Sequence, residues 1–582
     1  MKKILSLLLA ALMIFVFFAG CGEKETVNTD PTSTQAATEK PDPTAGELTP
    51  DPDDDSPYNF AIGKYEVNEK GFPVAPYEYE LPISTTDESL SYWTSTYTPQ
   101  YIPEEGYETL PLFVDLQNMT GVNIEYVLVP VATMREQYTT LLAADDLCDM
   151  TCNAVSYQSG TFEEAIEDGF WANIYDYMEY APNYIYQSTF DPADDQTYAK
   201  VFYQDDMIVA FYTIYTESFI NGNLMVRGDW LDDVGLNADD VVTFDDMHNM
   251  LTLFKTNIET VTFPWFLNAT IDVPGAYYLT ASDTIPVVNP TTLPPAYVID
   301  GEVKFPNMNE TDREFVTMIS QWFSEGLIDP EWNGNLEQIN AKIYSGATGA
   351  RFMAPGDVLG NELNTTNDPD VEWRPVHKPL KNTDQTIHLG GRPSRLVYGS
   401  ATISQKCENI PLAMTWLDFR YSATGSVLLS YGSEGQLFTR DENGKFTATE
   451  FALNHEAGYS WALTLFALNG LIDCGMQDNN RKYAYEGGER LQVMHEYWAD
   501  FKYDGIYDMP ARVKLTTDQS DEVGIYRPDI VTYLNENYFS FIDGSKPLSE
   551  WDSYVQGLKD IGMTRIIEIY QDAYDTYIES LG

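Results

Sequence analysis

From residue 58 onward, amphipathic helical segments alternate with short apolar runs for about 525 residues, and this alternation constrains the fold most strongly. Helices set between short strands pack as α/β layers. A single hydrophobic core stops growing at roughly 250–300 residues, so at least two lobes are expected. The clearest helix starts at Thr243-Phe244-Asp245-Asp246, where a hydroxyl can cap the first turn and carboxylates sit at the positive helix end. Met247, Met250, Leu251 and Phe254 then fall on one face. Asp312 to Glu325 repeats the pattern through Phe315, Met318, Ile319 and Trp322, and Gly326 supplies the stop. A last helix, from about Met563 to Ser580, sets Ile567, Tyr570, Tyr574, Tyr577 and Ile578 along one side. Strands are expected at Leu81–Thr86, Asn123–Val129, Met150–Val155, Met207–Tyr212 and Leu396–Ile403.

The N-terminal residues point to export. Lys2 and Lys3 precede an uncharged 17-residue run, Ile4 to Gly20, shorter than the ~20 residues of a membrane-spanning helix. A basic start, an apolar run and small residues before a cut describe a secretory signal over residues 1–20. Phe18-Ala19-Gly20-Cys21 resembles the bacterial lipobox, which implies acylation of Cys21 and anchoring to the outer face of the cell membrane. Residues 22–57 hold six prolines, seven threonines and ten acidic residues against two lysines. So little apolar surface cannot offset the entropy of ordering, and residues 21–57 are expected to form a flexible tether behind the lipidated cysteine.

A formal net charge of −57 argues against a nucleic-acid partner and against direct adsorption to anionic lipid. Aromatic residues make up 14% of the chain, including 40 Tyr and 11 Trp. Their flat apolar faces and polar edges suit sugar rings as well as protein cores. Four cysteines remain beyond Cys21, at 148, 152, 407 and 474, and their pairing is open. The five histidines show no zinc-ligand spacing, and neither a metal nor a cofactor is expected.

The order of segments resembles a known family. Met225-Val226-Arg227-Gly228-Asp229-Trp230-Leu231-Asp232-Asp233-Val234-Gly235-Leu236 ahead of the Thr243 helix is similar to a block of the extracellular solute-binding family 1 lipoproteins. So are Phe323-Ser324-Glu325-Gly326-Leu327-Ile328-Asp329-Pro330-Glu331-Trp332, Ile343–Gly349, Tyr431–Gly435 and Tyr570–Asp575. The resemblance implies a two-lobed periplasmic-binding-protein-like fold of class II, with a hinge and ligand held in the cleft between lobes. It implies one lobe of residues 58–217 plus 348–430 and another of 218–347 plus 431–582. It also implies a small-molecule ligand, an oligosaccharide above all, and delivery by a monomeric chain to the membrane subunits of an ABC importer. Some members carry a calcium loop after the T-x-x-E helix. Here Phe254–Glu259 runs directly to Phe263-Pro264-Trp265, so calcium is not carried over.

Ligands of open α/β lobes sit beyond the carboxyl ends of strands. On that rule the candidates are Trp93, Tyr157 and Glu217 in one lobe and Trp265 in the other. Asp357 in a turn, with Arg392 and Arg395 for an acidic sugar, completes the set. Each has a plainer reading: a core ring for Trp93 or Trp265, a loop anchor for Tyr157, a solvated hinge charge for Glu217, a local ion pair for either arginine. Trp230 and Trp332 read as core. No residue is assigned as catalytic. A secreted glycosidase needs two carboxylates ~5–10 Å apart, which 90 acidic residues would supply by chance. A surface protein that binds peptides or other polar solutes is the remaining alternative.

Overall fold

The computed structural model describes residues 56–581 apart from 97–101, 221, 268–275, 283, 286–292, 332–340, 354–357, 359–361, 363–364, 366–369, 391–393, 456–462, 464, 469–472 and 485–487. Cys21, Asp357, Arg392 and Trp332 therefore lie outside the described residues, as do the signal and almost all of the tether.

Ten strands build the two principal sheets: β1 (Ser89–Thr96), β2 (Asn123–Pro130), β3 (Met150–Cys152), β4 (Phe211–Phe219), β5 (Asn223–Arg227), β6 (Phe263–Phe266), β7 (Thr348–Met353), β8 (Trp373–Pro375), β9 (Ser394–Ile403) and β10 (Met476–Gln477). The larger sheet has the order β10-β4-β9-β3-β1-β2. Its strands run parallel except β9, which is antiparallel to both β3 and β4. The smaller sheet is β8-β5-β7-β6, with only β6 and β7 parallel.

Each sheet has its own core. Around the larger one, Leu90, Tyr92, Trp93, Met150, Phe211, Ile214, Ala401 and Ile403 pack with Trp416 and Leu417 of the helix Ile410–Phe419. Around the smaller, Leu224, Val226, Trp265 and Ala350 pack with the helices Phe244–Asn257, Glu310–Ser324, Thr517–Ile542 and Thr564–Ser580. The Thr243 cap forms as its sequence requires: the hydroxyl accepts from the Asp246 N–H at 3.1 Å, and the Asp246 carboxylate accepts from the Thr243 N–H at 2.9 Å. Of the side its sequence marks, Ile567, Tyr570 and Tyr574 of the final helix pack half-buried against the core. Ile566, Ile569 and Ala573 are buried there, while Ile578 is exposed.

Strand pairing corrects the expected lobe boundaries. β7 and β8 pair with β5, which puts Thr348–Met353 and Trp373–Pro375 in the second lobe rather than the first. β10 pairs with β4, and Leu468 donates its N–H to the Leu429 carbonyl, which returns Leu468 and Met476–Gln477 to the first lobe. Among the described residues, the first lobe is thus drawn from 58–219 and 394–484 and the second from 223–390 and 488–581, with three crossings between them. Three expected strands also shift. Leu81–Thr86 is not a strand, β3 ends at Cys152, and β4 starts only at Phe211 and runs on to Phe219.

Two buried polar groups tie the first lobe together. Asp418, fully buried, accepts from the Tyr79 hydroxyl (2.7 Å), the Asn183 backbone and side-chain amides (3.2 and 3.0 Å) and the Tyr184 N–H (2.7 Å). It closes the N-terminus of the helix Pro182–Thr189, whose first N–H groups have no intrahelical partner. Nearby, Arg420 pairs with Asp473 at 2.8 Å beneath the face of Trp416, and Tyr92 donates its hydroxyl to the same carboxylate.

A tyrosine rim on the carboxyl edge of the first sheet

Five of the six strands of the larger sheet end at the same edge, and all three crossings to the second lobe start or finish there. β4 runs out toward β5, β9 enters from the second lobe, and the chain past β10 returns to it. This carboxyl edge therefore faces the second lobe, the place where α/β sheets hold ligands.

Asn153 stands at the end of β3 in a left-handed conformation (φ 59°) and is buried. Its N–H donates to the Ser400 carbonyl at 2.7 Å, locking the turn to β9. Asparagine tolerates this conformation better than most residues, because its short side chain bonds locally. The amide nitrogen donates to the hydroxyl of Tyr398 and, at 3.5 Å, to that of Tyr157. The amide oxygen accepts from Ser156 Oγ at 3.3 Å and Ser400 Oγ at 3.4 Å. One buried amide thus gathers two phenols.

Tyr157 is half-buried. Its hydroxyl also meets Met134 Sδ at 3.3 Å, its ring lies 6.3 Å from that of Tyr138, and the Arg135 guanidinium sits 5.5 Å from the ring centre. Burial, with the neighbouring Tyr398 phenol adding, pushes the Tyr157 hydroxyl up to about 12, so it remains a neutral donor. Arg135 in turn donates to the Ser156 carbonyl at 2.9 Å.

Farther along the edge, Glu217 is exposed near the end of β4, and its backbone carbonyl accepts from Asn479 Nδ2 at 3.1 Å. Its carboxylate makes no hydrogen bond among the described residues and is open to accept hydroxyls from a ligand. Tyr483 lies within its field; burial first, then the charges of Glu217 and Glu496, push that phenol up to about 12. Next to this corner, Asp191, Asp194 and Asp195 of the first lobe and Tyr503 and Asp504 of the second line a hollow of about 460 Å³. Among the described residues no group of three or more His, Cys, Asp or Glu side chains is placed to hold a metal ion.

The remaining sequence candidates sit elsewhere. Trp93 is 1% exposed, paired with Val127 and Thr151 in the middle of β1. The expected strand at Leu81–Thr86 would end before it; the strand begins at Ser89 instead, so its ring belongs to the core. Trp265 is likewise inside β6, with no exposed surface, its ring 5.8 Å from Trp322. Neither ring offers a face to a ligand in this structure. Arg395 is 5% exposed and its guanidinium is spent internally, on the Tyr215 carbonyl (2.9 Å), the Gln187 carbonyl and amide oxygens (3.0 and 2.7 Å) and Asp194 (3.3 Å). It holds the helix Pro182–Thr189 to β4 and is not available to a carboxylated sugar. Tyr157 follows β3 and Glu217 lies near the end of β4, with β9 between the two strands. Asn153 and Tyr398 were missed from sequence. The available signal was Gly399, since a glycine inside a strand-like run marks a bulge.

No family model matches the chain. The fructooligosaccharide ABC transporter substrate-binding protein FusA of Streptococcus pneumoniae serotype 4 is 24% identical over 391 residues, 62% of this chain and 66% of that protein. The chain thus spans just under two thirds of that relative's length. Among solved structures, a human-milk-oligosaccharide-binding ABC-transporter-associated solute-binding protein from Bifidobacterium longum infantis superposes with a TM-score of 0.65 at 18% identity, covering 84% of this chain and 99% of that one. The alginate-binding protein AlgQ2, solved without calcium ion, gives 0.62 at 19% identity over 84% and 99%. FusA in complex with kestose gives 0.61 at 19% over 85% and 100%. The chain has the two-lobed α/β fold of these solute-binding proteins.

Proposed function

We propose that this protein captures an oligosaccharide between its lobes and hands it to an ABC importer, without chemical change to the sugar. The observation that carries this reading is the tyrosine rim. Two phenols are tethered to one buried amide at the carboxyl end of β3, and an exposed carboxylate stands farther along, near the end of β4. Aromatic faces match the C–H faces of sugar rings, and amide and carboxylate oxygens match their hydroxyls. The relatives support it, since the names of FusA and the Bifidobacterium protein carry oligosaccharide binding and an ABC transporter. Their names describe binding proteins, which supports a carrier rather than a glycosidase. Similarity to the extracellular solute-binding family 1 lipoproteins rests on the ordered sequence blocks.

In this reading the signal at 1–20 directs export and Cys21 is acylated. Residues 21–57 then hold a monomeric receptor off the outer face of the membrane. Among the described residues no helix is long and apolar enough to cross a membrane. Ligand would favour the closed form by touching both lobes at once, and the importer subunits would read that form.

Calorimetric titration of the chain from residue 22 tests the proposal. The panel is kestose, maltotriose, cellotriose and a tri-uronate, with the sugar recovered and analysed afterwards. Saturable binding with intact sugar is expected. Cleaved sugar would replace the carrier by an enzyme, and binding of peptides but no sugar would keep the fold while overturning the ligand class.

A further inference from the structure

Three aromatic rings stand exposed among the described residues: Phe190, Tyr398 and Phe451. Two are occupied. Phe190 stacks on Tyr186 and carries the Arg395 guanidinium 5.0 Å from its centre, and Phe451 meets His455 and Phe466 edge-on. Tyr398, 46% exposed, stacks on no other ring among the described residues, although its hydroxyl neighbours that of Tyr157.

Its position is built rather than accidental. Leu396 pairs with Ile214 and Ser400 with Tyr212, so the three residues Val397, Tyr398 and Gly399 stand opposite the single residue Thr213. Such a bulge re-aims a side chain out of the pleat. It depends on Gly399, whose φ of 127° other residues rarely adopt. A Cβ there would meet the Asp473 carbonyl at 2.4 Å and Thr213 Oγ1 at 2.6 Å. The hydroxyl is then pinned by Asn153, itself 1% exposed and anchored to Ser400. An exposed ring with a fixed edge and a face that stacks on no other ring, at the carboxyl end of β3, is preorganised for a flat partner.

We propose that Tyr398 is a stacking platform for one sugar ring of the bound oligosaccharide, with Asn153 as the residue that sets its plane. This rests on the reading of the protein as an oligosaccharide carrier. The phenol is committed to Asn153, so the ring's contribution is its apolar face. It should therefore discriminate by the shape of the sugar's C–H face rather than by charge.

The test titrates the chain from residue 22, and its Tyr398→Ala, Tyr398→Leu and Tyr398→Phe variants, with kestose, maltotriose and cellotriose, alongside thermal melts. Tyr398→Ala should bind roughly 10- to 100-fold more weakly than the parent, as burial of one aromatic face would imply. Tyr398→Leu, apolar but without a flat face, should fall nearly as far, whereas Tyr398→Phe should stay within about threefold. If the alanine variant melts abnormally, the leucine and phenylalanine variants decide. Parental affinity in Tyr398→Leu overturns the platform, and a Tyr398→Phe variant as weak as Tyr398→Leu overturns it too, by assigning binding to the hydroxyl. A parent chain that binds none of the three sugars and no tri-uronate overturns the oligosaccharide reading, and the platform with it.

Discussion

Replacing Asp418 with asparagine should remove a pH dependence that the parent chain owes to one buried carboxyl. Asp418 is fully buried in the first lobe, and burial pushes it up from an ordinary value of 3.8 to about 7, with the bonds from Tyr184, Tyr79 and Asn183 pulling the other way. A carboxyl raised on folding binds its proton more tightly in the native state. The stability it contributes is therefore complete below about pH 3.8 and is lost as pH rises through about 7. Proton linkage with those two values gives a loss of about 3 kcal/mol between pH 4.5 and 7.5. Asparagine cannot ionise and lacks this term, though its NH₂ faces donors and adds a constant penalty of about 1–3 kcal/mol. The assay is urea unfolding of parent and Asp418→Asn at pH 4.5, 5.5, 6.5 and 7.5 in 0.5 M salt, which screens the 90 acidic side chains. The parent's advantage over the variant should shrink by about 3 kcal/mol across that range. A constant difference, or one that grows with pH, would refute the reasoning. It would mean that the four donors around Asp418 outweigh its desolvation and that the site is built for the anion.

Two further outcomes follow from the buried groups. Trp265→Ala should lower the stability of the second lobe by roughly 3–5 kcal/mol in urea while leaving sugar affinity within about twofold, because the ring fills core rather than cleft; a selective loss of binding at unchanged stability would return it to the site. Arg420→Leu should strand Asp473 and cost roughly 3–5 kcal/mol, whereas the double variant Arg420→Leu/Asp473→Leu should recover most of that loss. Chemical denaturation of both chains checks this, and a double variant no better than the single one would argue that the pair itself supplies the stability.

Much of the local structure was legible in the chain. Thr243 and Asp246 announce a helix start because a capping box satisfies its own backbone within four residues, and Met247 to Phe254 show their buried face because helical spacing is a local property. Two α/β lobes follow from the alternation of elements over a length no single core sustains. What the sequence left undecided depended on which strands pair. Thr348–Met353 looks the same whichever sheet receives it; its bonds to Asn223–Val226 assign it to the second lobe, and those of Met476–Gln477 assign that segment to the first. A strand at Ser89–Thr96 rather than Leu81–Thr86 moves Trp93 from a strand's exit to its middle, and so from cleft to core. Tyr398 is the reverse case. Within its own segment it is one more aromatic in an apolar strand. Only the packing of Thr213 and Asp473 against Gly399, and the amide of Asn153 some 245 residues away, turns its ring outward and holds it there. Helix caps and faces are set by neighbours a few residues apart. A binding rim is set by contacts between distant segments, and those exist only once the sheet has chosen its register.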